Sequence, residues 1–374
     1  MNSLLAIGFF QGLILSVLLF LKAWQKKNHV WLMGAFVLFT SAFIAGPLIN
    51  QWIGEPWGSF LVDPLLLLIG PSFYGYIRSL SRPERGHQLK VHLIPFFLYL
   101  PFLIYFALTV FAVQPNPQYM KEIYSSSYAV AMSIFKFGHL LTYVSLTFGE
   151  LKRHQKRIEQ VFANLKGKDL QWVRYLLTTF LLLSLLSLGI YLVAIQRPAW
   201  QNQLTLFNLV LISLYLITIT FYAFQQGTIF DLDLSQVGEP RELPTLWETT
   251  DPKYEKSGLR ETDVTEISQK IDQWMLGKGY LDPEVNLARL AEAIQVPYYR
   301  ISEVLGKYRK TSFYELINSH RIKDIQQALS DPNYAHLSIL GIAFEFGFNA
   351  KSTFNTAFKK FAGMSPSEYK KSIS

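Results

Sequence analysis

Residues 339–369 read ILGIAFEFGFNAKSTFNTAFKKFAGMSPSEY, and this stretch decides the fold of the C-terminal third. Its periodicity predicts a helix over 338–346, a turn at Gly347, Phe348 and Asn349, and a second helix over 350–361. Ala343 is small enough to let two helices cross closely, and Gly347 suits a turn residue of positive φ. Phe348, Phe354, Phe358 and Phe361 recur at helical spacing and are expected in the core rather than against nucleobases. Polar residues fill the opposite face. Ser365, Pro366, Ser367, Glu368 and Tyr369 close the chain as a short capped helix. A helix–turn–helix of this kind presents its second helix to a major groove.

The same pattern occurs upstream. A helix is expected over 263–276, with Asp263 as N-cap and Glu266 three residues on, ended by Gly277 and Gly279. Residues 286–294 follow as a short helix with Leu287, Leu290, Ala291 and Ile294 on one face. A tight turn over 295–297 leads into a helix over 298–308. A long amphipathic helix over 312–329 then joins the two units. Residues 263–374 are therefore expected to form an all-α domain with two helix-turn-helix units.

Residues 264–373 resemble the AraC/XylS family of bacterial transcription regulators. Ala343, Gly347, Phe348, Phe354, Phe358, Lys359, Gly363 and Pro366 carry the likeness in the second unit. The first unit departs from it, with Pro297 in place of the usual N-cap serine and Ile325 in place of the usual linker-helix alanine. The resemblance implies that bases are read from Tyr299, Ser302 and Glu303 in the first unit, and from Lys351, Ser352, Thr353 and Thr356 in the second. Lysine can donate to guanine O6 and N7, serine and threonine can meet several base edges, and Glu303 could accept from cytosine N4 or be a surface charge. Arg300, Lys307, Arg309, Lys310, Lys359 and Lys360 are better suited to phosphates, which position the protein without specifying sequence. From residue 297 to 374 there are 11 basic and 6 acidic residues, a moderate charge that suits a reader assisted by a second copy of the chain. A two-fold dimer on repeated half-sites is the expected geometry, although family members also bind as monomers through both units.

The remainder of the chain is of another kind. Half of all residues are hydrophobic and the net charge is +8, yet residues 1–230 alone hold 17 Lys/Arg against 7 Asp/Glu. Seven stretches are long and apolar enough to span a bilayer: 3–21, 29–49, 59–80, 91–113, 124–148, 172–196 and 204–224. Pro95 and Pro101 are expected to kink the fourth. The first link holds Lys22, Lys26 and Lys27, the third Arg82, Arg85 and Lys90, and the fifth Lys152, Arg153, Lys156, Arg157, Lys166 and Lys168. The alternate links hold no basic residue, Lys121 alone and Arg197 alone. Such alternation places the basic links in the cytoplasm, the N-terminus outside, and the helix-turn-helix domain in the compartment that holds DNA. No positive n-region or small-residue cleavage site marks the first crossing as a cleaved signal. Trp24, Trp31, Trp52, Trp57, Trp172 and Trp200 fall near helix ends, as interfacial anchors do. In architecture this half resembles the seven-crossing modules fused to such domains in Bacteroidetes-type bacteria.

Away from the ends of the expected crossings lie three ionisable residues: Asp63 in the third, and Lys136 and His139, three apart on one face, in the fifth. Two readings stand. Asp63 and Lys136 could meet near a sensing site, or they could be a structural ion pair, with Asp63 alternatively resting at the interface beside Pro64. Gly8 and Gly12 form a G-x-x-x-G, which serves either dimerisation or close contact within the bundle. The dense aromatics Phe96, Phe97, Tyr99, Phe102, Tyr105 and Phe106 are read as packing and lipid contact. Residues 231–262, with 8 acidic and 4 basic residues and three prolines, read as a flexible tether with a reach of ~30 Å. Such a soft joint favours control through dimerisation over rigid transmission.

The expected architecture is thus a seven-transmembrane sensor module (1–230), an acidic linker (231–262) and an AraC-type DNA-binding domain (263–374). It describes a multi-pass protein of the bacterial inner membrane with a cytoplasmic C-terminal domain. Duplex DNA and the lipid bilayer are the expected partners, with RNA polymerase, a second copy of the chain and an unnamed ligand or envelope signal as further candidates. A receptor or transporter-like protein whose C-terminal domain binds proteins is the alternative. The absence of cysteine excludes disulfides, thiolate metal sites and cysteine nucleophiles. The chain has no H-E-x-x-H, G-x-S-x-G, phosphate loop or paired metal carboxylates, and its seven histidines do not pair at ligand spacing. No enzymatic activity, metal or cofactor is expected.

Overall fold

The computed structural model describes residues 2–26, 30–53, 57–81, 89–113, 126–165, 170–225 and 259–373. Among the described residues the chain is helical, without strands, and has one isolated antiparallel bridge between Phe162 and Asn286. It divides into two units, residues 1–151 with 171–237, and residues 152–170 with 238–374. The second unit therefore takes in a segment from the fifth expected link, which a linear division at 231 and 262 did not anticipate. Residues 231–258 of the expected tether lie outside the described residues.

The first unit comprises α1 (Asn2–Lys26), α2 (Val30–Ile53), α3 (Trp57–Val62), α4 (Leu66–Ser81), α5 (Leu89–His92), α6 (Ile94–Val113), the first part of α7 (Ser127–Val161), α8 (Gln171–Gln196) and α9 (Gln201–Gln225). Among the described residues, six helices are long and apolar enough to cross a membrane, and Gln203–Ile219 is a shorter apolar helix. Two expected spans are broken. Pro64 opens a 3-10 turn, Asp63–Leu65, that separates α3 from α4. Leu93 interrupts the fourth span between α5 and α6, just before Pro95, whose ring restricts the preceding backbone. Pro101 lies within α6.

Close approach inside the unit is set by small residues. A Cβ on Gly8 would come within 2.6 Å of Ser213 Cβ, and one on Gly12 within 2.8 Å of Ser41 Cβ. Ser41 Oγ donates to the Phe9 carbonyl at 2.7 Å across the same contact. Gly8 and Gly12 thus pack α1 against α9 and α2. Outward, Phe10, Ile14, Leu21, Phe102, Leu108 and Leu182 are exposed. Rows of exposed large apolar side chains on long helices fit a hydrocarbon surround.

The second unit holds α10 (Glu261–Leu276), α11 (Leu287–Ile294), α12 (Tyr298–Glu303), α13 (Phe313–Ser330), α14 (Ile339–Glu345), α15 (Lys351–Ala362) and α16 (Pro366–Ile373). Residues 152–165, comprising the end of α7 and the turn after it, belong here too. The first helix begins two residues before the expected start. Asp263 occupies its third position, and its carboxylate accepts from the Arg260 N–H at 3.3 Å. Ser312 caps α13 by accepting from the Glu315 N–H, while the Glu315 carboxylate accepts from the Ser312 N–H, both at 3.1 Å. Ile267, Ile271, Leu287, Leu290, Ile301, Leu305, Phe313 and Ile317 build the core of the first helix-turn-helix unit. Ile322, Ile325, Ile342, Ala343, Phe348, Phe354 and Phe358 build that of the second. Burying one phenylalanine of this kind stabilises by roughly 1.5–3 kcal/mol.

Candidate nucleic-acid interface

The second helices of the two helix-turn-helix units are held by local devices. In the first unit, Asn286 caps α11 by accepting from the Arg289 N–H at 3.0 Å, and Gln295 takes the left-handed conformation (φ 52°) that turns the chain toward α12. After Glu303 the helix widens into a π turn, Val304–Tyr308, in which the Arg309 N–H reaches the Val304 carbonyl at 2.9 Å. In the second unit Ser338 caps α14. Gly347 turns the chain with φ +86°, and a Cβ there would lie 2.5 Å from the Leu281 carbonyl oxygen.

Burial separates the faces of α15. Phe354, Ala357 and Phe358 are buried, whereas Lys351, Ser352, Thr356, Lys359 and Lys360 are exposed and Thr353 is half-buried. The base-reading positions implied for the second unit thus share the open side of one helix. In the first unit Tyr299, Arg300, Lys307 and Lys310 are exposed, and Ser302 is half-buried. Glu303 is turned inward, with its side chain 11% exposed and its carboxylate 2.9 Å from Lys307 Nζ. That geometry suits a helix-bracing charge better than an open base reader. Arg309 is also engaged: its guanidinium makes two 2.8 Å bonds to the Asp272 carboxylate and a third, also 2.8 Å, to the Ser268 carbonyl. It clasps α10 to the end of the first recognition helix. Lys360 Nζ sits 3.0 Å from Glu315 Oε1 and stacks over Tyr314 and Phe361. That hydrogen bond, with help from the Ser312 N–H, holds the Glu315 carboxyl below its ordinary value of 4.5.

The joint between the two units rests on residues that the sequence pattern did not single out. Arg321, 1% exposed, donates from Nε to the Tyr280 carbonyl and from Nη2 to the Asp282 carbonyl, both at 2.7 Å, and lies over the Phe348 ring. Burial pushes its guanidinium down to about 10, against the opposing pull of Asp282. Asn318 is fully buried and donates to the carbonyls of Tyr314 and Ala163. The available signal was a polar residue on the buried face of α13, where Phe313, Ile317, Arg321 and Ile325 are spaced four apart.

Residues 152–165 are the second addition. Ile158 and Leu165 pack with Tyr314, Val161 and Ala163 join the core of the first unit, and Phe162 touches both clusters. Asn164 Nδ2 donates to Asn349 Oδ1 at 2.6 Å, and Thr353 Oγ1 lies 3.5 Å from Asn164 Oδ1. A cavity of about 330 Å³ is lined by Lys156, Glu159 and Gln160 on one side and by Ser302, Lys310 and Glu315 on the other. Burial pushes the Tyr314 hydroxyl up to about 12, with Glu159 and Glu315 adding to the effect. An apolar repeat at Ile158, Val161, Phe162 and Leu165 inside a basic link was the signal for this docking.

In the first unit of the chain, the three ionisable residues come together in part. Lys136 Nζ lies 2.6 Å from Asp63 Oδ1, and the Tyr99 hydroxyl donates to Asp63 Oδ2. The His139 ring lies tilted against that of Tyr143, and neither of its ring nitrogens has a hydrogen-bond partner among the described residues.

Comparison with known proteins agrees with the C-terminal geometry. Residues 290–372 match a family described as a helix-turn-helix domain. Over 116 residues the chain is 30% identical to the raffinose operon transcriptional regulatory protein RafR of Pediococcus pentosaceus, a stretch covering 30% of this chain and 41% of that protein. The chain thus spans about two fifths of the length of the curated relative it matches. No solved structure matches the chain. The C-terminal region carries an AraC-type helix-turn-helix domain.

Proposed function

We propose that this protein is a membrane-embedded, sequence-specific transcription regulator that couples a signal at the cell membrane to DNA binding by its cytoplasmic C-terminal domain. The observation that carries the proposal is the open polar face of α15, where Lys351, Ser352 and Thr356 are exposed opposite a buried phenylalanine face. A helix with that division can enter a major groove without giving up its core. Tyr299 and Ser302 contribute from the first unit, and Arg300, Lys307, Lys310, Lys359 and Lys360 supply phosphate contacts. Lys360 would exchange the surface carboxylate of Glu315 for a phosphate, an exchange of low cost because exposed ion pairs are weak. Glu303 and Arg309 are assigned bracing roles instead. The apolar helices of the first unit support membrane insertion, and the basic links support a cytoplasmic C-terminus. Asp63, Lys136 and His139 form the candidate sensing group. A two-fold dimer and contact with RNA polymerase belong to the same proposal.

The test is in-cell crosslinking of the tagged full-length protein to DNA, beside a Lys351→Glu, Thr356→Glu control. Discrete sites present in the wild type and lost in the control are expected. Equal recovery from both, with both chains in the membrane fraction, would transfer the domain to protein interaction.

A further inference from the structure

We propose that residues 152–165 form an internal strap that abuts the DNA-facing side of the helix-turn-helix domain at the start of α15, so that duplex DNA and the strap compete for that first turn. The proposal rests on the DNA-reading function and adds its regulation. The strap touches the second recognition helix at a position that would read bases and shares a pocket with the first. Asn164 contacts Thr353, in the first turn of α15, and Asn349 immediately before it. Gln160, Glu159 and Lys156 face Ser302 of α12 across a shared cavity. Recognition helices of this class meet base edges with their N-terminal residues, and the open N–H groups of a first turn are natural phosphate ligands. No side chain caps the first turn of α15 at Ala350, and the amide of Asn164 lies beside that turn against Asn349 and Thr353. Glu159 adds a carboxylate on the same side.

The strap is built to stay down at rest. Ile158, Val161, Ala163 and Leu165 are buried, and fully buried Asn318 holds the Ala163 carbonyl. The Phe162 backbone bridges to Asn286, the cap of α11. The strap is also the direct continuation of α7, a 35-residue helix that carries Lys136 and His139 further upstream.

Because the chain has no cysteine, the contact can be locked selectively. The full-length protein in nanodiscs would carry Asn164→Cys and Asn349→Cys, joined by a short, reducible bis-methanethiosulfonate reagent. Affinity for a fluorescent random-sequence duplex pool at low salt would be measured before and after reduction. Binding about tenfold weaker when locked, restored by reductant, is expected. Asn164→Ala alone, which removes two strap contacts from a half-exposed position, should tighten binding. Equal affinity in locked and reduced forms, or tighter binding when locked, would overturn the strap. If neither form binds better than a Lys351→Glu, Thr356→Glu control, DNA reading itself fails and the strap falls with it.

Discussion

Asn318 Nδ2 donates to the Ala163 carbonyl at 2.9 Å, tying the middle of α13 to a residue 155 positions away. The asparagine is fully buried, and its oxygen faces Arg321 Nη1 at 3.4 Å. One side chain thus connects the strap to the joint between the two helix-turn-helix units.

Asn318→Ala should loosen the strap first. The Ala163 carbonyl loses its partner in a dry setting, at a cost of about 1–3 kcal/mol. Hydrogen exchange on the solubilised full chain should then speed up by roughly 5- to 150-fold over residues 158–165, while α9 stays protected. Unchanged protection there would show that the bond holds nothing in place.

The joint itself depends on Arg321. Arg321→Met keeps the packed stem but removes two charge-assisted bonds and strips the Tyr280 carbonyl of its guanidinium partner, while the Asp282 carbonyl keeps the Val285 N–H, so a loss of about 3–6 kcal/mol is expected. Arg321→Lys should not restore it, since a single ammonium lacks the fork that reaches both carbonyls. Gly347→Ala should also destabilise, by at least about 2 kcal/mol, because φ +86° is strained for alanine and the new Cβ meets the Leu281 carbonyl. Gly306→Ala, with nothing within 4 Å of the new Cβ, is the matched neutral control. Chemical denaturation followed by near-ultraviolet circular dichroism would rank the four.

Asp63 and Lys136 separate structural pairing from sensing. Removing one charge strands the other in an apolar setting, so Lys136→Met alone should lower membrane-inserted protein, by an effect of about 3–5 kcal/mol. Asp63→Leu with Lys136→Met should recover abundance. If the pair also senses, the double variant should be present in full yet give a constant reporter output. A normal inducible response from it would leave the pair with a structural role alone.

The Lys360–Glu315 contact has a defined acid signature. The folded carboxyl is held below 4.5, so its contribution is complete above that value and is lost as pH falls through the lower folded value. Lys360→Met removes the largest cause of the depression. The acid-unfolding midpoint of that variant should move to higher pH, with a small shift because both side chains are partly exposed. A coincident midpoint would mean that the bond contributes nothing in solution.

Local periodicity was enough for most elements. The apolar spacing of Phe348, Phe354 and Phe358 marked the core face of α15, and Ser312 and Ser338 marked helix starts, because caps and faces are encoded within one or two turns. The breaks at Pro64 and before Pro95 were harder to place. A proline signals a distortion, but neighbouring helices decide whether it becomes a kink or a break. Gly8 and Gly12 left two uses open, and only the packing of Ser213 and Ser41 against them assigned both to the bundle.

The sequence by itself determined the helical content, the polar and apolar faces of the recognition helices, and the positions of the apolar spans, since each follows from residues within a few turns of one another. The tertiary structure alone decided that Arg309 pairs with Asp272, that Asp63 meets Lys136, and that residues 152–165 dock beside Thr353. Those contacts join side chains tens to nearly two hundred positions apart. No local pattern encodes such pairings, because their free energy exists only once the intervening chain has packed.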